Sequence, residues 1–137
     1  MPVECPIPIP RLTSKQFGDL DFRVMPVAFE VHNNLGCYWD EIAYQSEMSV
    51  KIFDRFGSSD REVPLTVTFG NFRKTYRLDL VVESAGLYEL KTVAAIRESH
   101  IGQVLNYLRL LDATRAKIVN FRLRRVESKF VNCSDTL

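Results

Sequence analysis

The sequence predicts an α/β fold in which a mixed sheet lies between helices. Three observations carry that prediction. Two stretches with apolar residues at helical spacing open the chain. Strand-like runs separated by tight turns follow. A further helical stretch then leads into another strand, and a strand returning after a helix runs parallel to the one before it. The meander and the crossover together make the sheet mixed. The first two helices cover one face and the crossover helix the other. With 137 residues, 46% apolar and 26% charged, the chain suits one globular domain with its own core.

The N-terminus, MPVECPIPIP, has four prolines among residues 2–10, which predicts an extended arm rather than a packed element. The first helix is expected between about Leu20 and Leu35, where Val24, Val27, Ala28, Val31 and Leu35 recur at steps of three and four. Asp19 or Asp21 can cap it and Gly36 can end it. Pro26 removes a bond to the Phe22 carbonyl, so a late start or a kink is expected. The second helix is expected from about Asp40 to Phe56, with Ile42, Met48, Ile52, Phe53 and Phe56 as its apolar set.

Gly57-Ser58-Ser59-Asp60 is a turn-forming loop, and the period then changes. Val63 to Phe69 and Phe72 to Glu83 read as strands joined by the Gly70-Asn71 hairpin signal. Ser84-Ala85-Gly86 is the next turn, and Leu87 to Val93 the next strand. A helix from about Ser99 to Asp112 follows, with Ser99 as its expected N-cap. Ala116 to Phe121 is the returning strand, and Leu123 to Val131 can add an edge strand. The expected organisation is an arm over residues 1–15, one domain over 16–131 and a frayed tail over 132–137.

Cys5, Cys37 and Cys133 are odd in number and far apart, which disfavours a disulfide framework or a Cys-rich zinc site. A reducing, cytoplasmic setting is expected. The N-terminus lacks the pattern of a signal peptide, and no apolar run has the length of a membrane span. The net charge of +1 conceals an asymmetry: residues 1–68 carry 6 basic and 10 acidic side chains, residues 69–137 carry 12 and 7. A strongly basic nucleic-acid protein is excluded for the whole chain, not for its second half.

The chemistry gathers on two strands. Asp79 sits in the apolar run Leu78-Asp79-Leu80-Val81-Val82, and Tyr88-Glu89-Leu90-Lys91 places an acid and a base two residues apart. Side chains alternate along a strand, so Glu89 and Lys91 share a face. A three-residue loop, Ser84-Ala85-Gly86, puts Val81 opposite Glu89 and Asp79 opposite Lys91, so that all three converge. A two-residue loop puts Asp79 on the other face. Gly86 favours the first, because such loops end in a left-handed position. Burying unpaired carboxylates is costly. A Mg²⁺ or Mn²⁺ ion held by Asp79 and Glu89 would offset that cost and could acidify a water beside a phosphate. Lys91 could orient the water or stabilise the transition state. These residue types fit phosphodiester hydrolysis. The simpler reading is a cross-strand salt bridge of Lys91 with Asp79 or Glu89.

The D-x(9)-E-L-K arrangement resembles the PD-(D/E)XK nuclease motif, and the chain further resembles the small GxxExxY family within that superfamily. The resemblance rests on Phe29-Glu30-Val31-His32-Asn33-Asn34-Leu35-Gly36, on Glu41 with Tyr44, on the runs Tyr76 to Glu83 and Tyr88 to Val93, on His100, Gln103, Asn106, Tyr107 and Leu108, and on Val119-Asn120-Phe121. It covers roughly residues 20–121. It departs from the family at Tyr38, where the glycine of the family's name would stand, at Cys37 and at Arg122. The resemblance implies a restriction-endonuclease-like core of three layers, α/β/α. It also implies Asp79 and Glu89 as metal ligands, with the Leu90 carbonyl as a third oxygen. Lys91 would be the catalytic lysine, Glu41 an extra acid reaching the metal through water, and Gln103 a contact to the site.

His100 lies one turn before Gln103 and Tyr107 one turn after it, so both are candidates for the cleft wall. Trp39 is either core or a stacking surface for a base. Arg115, Lys117, Arg122, Arg124, Arg125 and Lys129 form a basic run, read as phosphate contacts or as a solvated sheet edge. The expectation is a Mg²⁺-dependent nuclease acting on DNA, without membrane association, and with a homodimer as a possible assembly. The rival is a non-catalytic nucleic-acid-binding or protein-interaction module that retains the fold.

Overall fold

A computed structural model describes residues 2–133. Six strands form one sheet in the spatial order β1-β2-β3-β4-β5-β6: β1 Val3–Glu4, β2 Ser59–Phe69, β3 Phe72–Val82, β4 Gly86–Lys91, β5 Arg115–Asn120 and β6 Glu127–Asn132. Among the described residues only β4 and β5 pair in parallel, because α3 (Glu98–Leu111) carries the chain between them. Helices α1 (Ser14–Leu35) and α2 (Glu41–Arg55) pack on one face over Leu80, Val82, Tyr88, Leu90 and Phe121. Helix α3 packs on the other over Val81, Leu87, Ala116 and Ile118. The three-layer mixed α/β architecture expected from the sequence is the one observed.

Several element-level expectations need correction. Helix α1 starts earlier than Leu20, at Ser14. Its cap is not Asp19 or Asp21 but Thr13, whose Oγ1 accepts from the Gln16 amide at 3.1 Å. The Thr13 amide donates to Gln16 Oε1 at 2.9 Å. This reciprocal box satisfies two donors that a helix start leaves open. The helix runs through Pro26, which lies on the solvent face, where water can meet the freed Phe22 carbonyl. The buried stripe Val24, Val27, Ala28 and Val31 holds the helix together across that gap.

In α2 the buried face is Tyr44, Gln45, Met48 and Ile52. Ile42 and Phe53, expected inside, are 49% and 76% exposed. In α3 the N-cap position is Arg97 rather than Ser99, and His100 Nδ1 accepts from the Arg97 amide at 2.9 Å. The N-terminal arm is extended as expected, but it is packed. Its strand β1 pairs with β2, and Ile9 is buried under the α3-side cluster. Strand β2 begins at Ser59, inside the expected loop, because Ser59 and Asp60 pair with Val82 and Val81. Asn132 ends β6, and the rest of the expected frayed tail from residue 134 lies outside the described residues.

The β3–β4 register also differs. Val82 pairs with Gly86 and Leu80 with Tyr88. The turn is therefore Glu83-Ser84-Ala85, one residue earlier than expected. Glu83 and Ser84 take the left-handed positions, at φ 52° and 54°, and the Ala85 amide bonds back to the Val82 carbonyl at 3.0 Å. Gly86 is needed for a different reason: a Cβ there would lie 2.4 Å from Leu20 Cδ2. Continued along the strands, this register sets Asp79 opposite Glu89 instead of Lys91. The slip amounts to an even number of positions, so the face on which the acids meet is unchanged.

Candidate functional site

The ladder between β3 and β4 stops at Leu80↔Tyr88. Beyond it, side chains take over the bonding. The Asp79 amide donates to Glu89 Oε1 at 3.2 Å, and the Leu90 amide donates to Asp79 Oδ2 at 2.8 Å. Each carboxylate thus bonds the opposite strand's backbone and holds both acids where the strands part. Both are buried: Asp79 is 9% and Glu89 2% exposed. Burial raises the Glu89 carboxyl well above the ordinary glutamate range, and the neighbouring Asp79 charge raises it further.

The strand on the far side of Asp79 is irregular. Pairing runs Arg61↔Leu80 and then Val63↔Leu78, skipping Glu62 and Asp79. Glu62 has φ 52°, a left-handed conformation unusual for glutamate. Leu80 packs under α1 and α2, whereas Leu78 joins the α3-side cluster. Alternation therefore breaks at Asp79, inside the buried stretch Leu78–Val82.

Lys91 shares the Glu89 face, as alternation requires, and its Nζ donates to Gln103 Oε1 at 3.3 Å. Among the described residues it makes no ion pair with Asp79 or Glu89, so the simple cross-strand salt bridge is not formed. Its charge nonetheless reaches both Glu89 and Glu41, lowering each carboxyl against the opposing effects. Glu41 opens α2, capped by Asp40, whose Oδ1 accepts from the Ala43 amide at 2.9 Å. Half-burial first and the Asp79 charge second raise its carboxyl; a backbone bond from Thr92 acts the other way. The structure thus brings Asp79, Glu89, Lys91, Gln103 and Glu41 to one place.

Two further groups belong to this neighbourhood. Glu62 bears electrostatically on Glu41. Tyr107 is buried, and burial followed by the charges of Glu89 and Asp79 raises its hydroxyl. Glu62 was not foreseen: nothing in a strand-like run marks an acid for a left-handed position. Tyr107 could be found from its spacing to Gln103. Gln45, one turn along α2 from Glu41, is buried with its Oε1 unpartnered. Its amide type in an otherwise apolar helix face was the available signal.

Other candidates fall elsewhere. His100 is occupied at the start of α3. Trp39 is 55% exposed, with Nε1 donating to the Leu35 carbonyl. In the basic run, Lys117 is 5% exposed and its Nζ donates to Asp21 Oδ2 at 2.7 Å, so it does not face a ligand outside. Arg115 bonds the Leu12 carbonyl and Asn132 Oδ1. Arg122 bonds the carbonyls of Cys37 at 2.8 Å and Trp39 at 3.1 Å, and reaches Thr92 at 3.5 Å. Arg124, Arg125 and Lys129 are exposed.

Arg122 therefore ties the segment before Glu41 to the segment after Lys91. Arg122→Ala is expected to cost about 2 kcal/mol, from the loss of charge-assisted bonds to carbonyls left behind. Chemical denaturation of both proteins checks this; Arg122→Lys should recover little, because an ammonium cannot span two carbonyls as the guanidinium fork does.

Asp79, Glu89 and the Leu90 carbonyl could hold a divalent cation. Among the described residues no group of three or more His, Cys, Asp or Glu side chains is placed to hold a metal ion, so the two carboxylates would need the carbonyl and waters beside them. Two buried hard carboxylates fit an ion that keeps most of its waters, as Mg²⁺ does. No described helix is long and apolar enough to cross a membrane. The model of the PD-(D/E)XK nuclease superfamily matches residues 18–131. No curated protein and no solved structure matches the chain.

Proposed function

Because this chain belongs to the PD-(D/E)XK nuclease superfamily, we propose that it is a metal-dependent nuclease that hydrolyses phosphodiester bonds in DNA through Asp79, Glu89 and Lys91. The observation that carries the reading is the pair of buried carboxylates where β3 and β4 part, with a lysine on the same face held by Gln103. A structural core gains nothing from two adjacent buried acids, since their mutual repulsion opposes folding.

Asp79 and Glu89, with the Leu90 carbonyl, would hold Mg²⁺ or Mn²⁺, and Glu41 would reach it through water. The ion supplies charge neutralisation and Lewis acidity at a bound phosphate. Lys91 holds a positive donor beside that position, where it can orient a water or meet charge developing on the phosphoryl oxygens. Gln103 positions the lysine by accepting from its Nζ. Half-burial and the Asp79 charge raise the Glu41 carboxyl above its ordinary range. The exposed Arg124, Arg125 and Lys129 are available to phosphates, whereas Arg115, Arg122 and Lys117 serve the fold. Within the superfamily the chain resembles the GxxExxY family at Glu41 and Tyr44 and departs from it at Tyr38. Tyr44 supports Glu41's helix by donating to the Gly36 carbonyl at 2.5 Å and stacking on Phe121.

Plasmid and linear DNA incubated with the protein and Mg²⁺ or Mn²⁺ should be cleaved, and chelation should stop it. Asp79→Asn should abolish cleavage and also the calorimetric heat of Mn²⁺ binding. Equal heats for the two proteins would remove the metal assignment. Absence of cleavage with a normal heat would favour the binding-module reading.

A further inference from the structure

We propose that the β2–β3 ribbon, from Val63 to Leu78, is the surface on which duplex DNA lies while it is cut. The inference rests on the nuclease reading and names its substrate class and docking face. Val63, Leu65 and Val67 are buried, and Val63, Leu65, Tyr76 and Leu78 belong to the α3-side cluster, which the N-terminal arm extends through Ile7 and Ile9. By alternation Pro64, Thr66, Thr68, Arg73, Thr75 and Arg77 point the other way, on the side of α2 and Glu41. No described helix covers that part of the sheet: Arg73, Thr75 and Arg77 are exposed and their β2 partners are half-exposed.

The chemistry of this face is that of a phosphate-binding surface. Residues 63–78 contain three basic side chains and no acidic one, in a chain whose overall charge is nearly balanced. Glu4, paired with Thr66 from β1, borders it at one edge, and Glu62 and Asp79 flank it along the chain. Thr66 and Thr75 stand opposite each other with their hydroxyls 3.0 Å apart. Neither Arg73 nor Arg77 has a hydrogen-bond or ion-pair partner among the described residues. Lys74 lies on the opposite face, over the Tyr76 ring at 5.1 Å.

Position adds to composition. Arg77 is two residues from Asp79 on the same strand; alternation breaks between them, and Glu41, on the side of this face, feels the Asp79 charge. Arg73 and Arg77 are four residues apart, about 13 Å along a strand, or roughly four base-pair rises of a duplex. The face offers guanidinium groups and hydroxyls but no aromatic ring. Single strands are usually held by stacking bases on aromatic side chains. A surface that can address only phosphates and sugars suits a duplex, whose bases are turned inward. Of the C-terminal run, Arg115, Lys117 and Arg122 are engaged by the fold, whereas Arg73 and Arg77 lie on the strand that carries Asp79.

The test is binding without turnover. Fluorescence anisotropy in EDTA, with a labelled DNA duplex of about 20 base pairs, is measured against salt for wild type and Arg73→Gln/Arg77→Gln. The double variant should bind roughly tenfold more weakly, and its log K against log salt slope should be shallower by about 2, one unit per phosphate contact. Thermal melting should be unchanged, because both side chains are exposed. A single strand of the same sequence should bind wild type more weakly than the duplex and respond less to the substitutions. Unchanged duplex affinity and slope overturn the proposal, as does a single strand that binds better than the duplex. Failure of wild type to cleave with any metal would refute the nuclease reading alone, since the binding comparison requires no cleavage.

Discussion

Lys91→Ala is expected to slow metal-dependent DNA cleavage by roughly a thousandfold, the upper range for removing one charge-stabilising donor from a site. The effect should be specific to turnover. Lys91 is half-exposed, makes no ion pair with the buried acids among the described residues, and bonds only Gln103. Its removal should therefore leave the fold and the melting temperature nearly intact. Metal affinity should fall modestly, if at all, because a positive neighbour opposes a cation while lowering the Glu89 carboxyl. Gln103→Ala should reproduce a small part of the loss, about tenfold, by freeing the lysine without removing its charge. Single-turnover cleavage with saturating Mn²⁺ separates the two. Wild-type rates for Lys91→Ala would show that the lysine is structural.

The second large effect concerns stability, and its sign is counter-intuitive. Glu89→Gln should abolish metal binding yet raise the melting temperature of the metal-free protein at neutral pH by roughly 3–8 °C, corresponding to about 1–2 kcal/mol. Glu89 is almost fully buried beside Asp79, and both its burial and that charge raise its carboxyl above the ordinary value of 4.5. The folded protein thus holds a proton that the unfolded chain releases. Stability is fullest below the ordinary glutamate value and falls as pH rises from there towards the folded value. Glutamine keeps the shape and can still accept from the Asp79 amide through its carbonyl oxygen, without the charge. The gain should therefore be small near pH 4 and grow on the way to neutrality. Added Mn²⁺ should stabilise wild type and not the variant. Melting curves between pH 4 and 8, with and without Mn²⁺, decide this. A variant less stable than wild type throughout would mean that Glu89 is structurally satisfied without a cation.

Much of the site was legible because its parts are local. Glu89 and Lys91 are two apart on a strand, so their common face follows from alternation. Asp79 joins them under any loop of odd length, which is why the sequence reading survived a turn placed one residue late. The start of α1 is also written locally: Thr13-Ser14-Lys15-Gln16 is a capping-box pattern, but it lies ahead of the apolar spacing from about Leu20 to Leu35. The boundary of α3 was obscured because Arg97, which offers no side-chain acceptor, stands at the N-cap, and His100 Nδ1 accepts from its amide.

What the sequence by itself determined was the fold class, the parallel return of β5 and the residues able to do chemistry. These depend on periodicity, turn signals and spacing along one strand or helix. Only the tertiary structure decided which charges are available. Lys117 and Arg124 are equally basic on paper; one is sealed against Asp21 and the other faces solvent. Arg115 and Arg122 became internal braces because distant carbonyls arrived beside them. Arg73 and Arg77 stand open because no described helix covers their face of the ribbon. Glu62 takes a left-handed conformation where the β2–β3 pairing skips it and Asp79, and its charge bears on Glu41. Each of these outcomes depends on packing between segments far apart in the chain, and pairwise proximity of that kind leaves no local pattern to read.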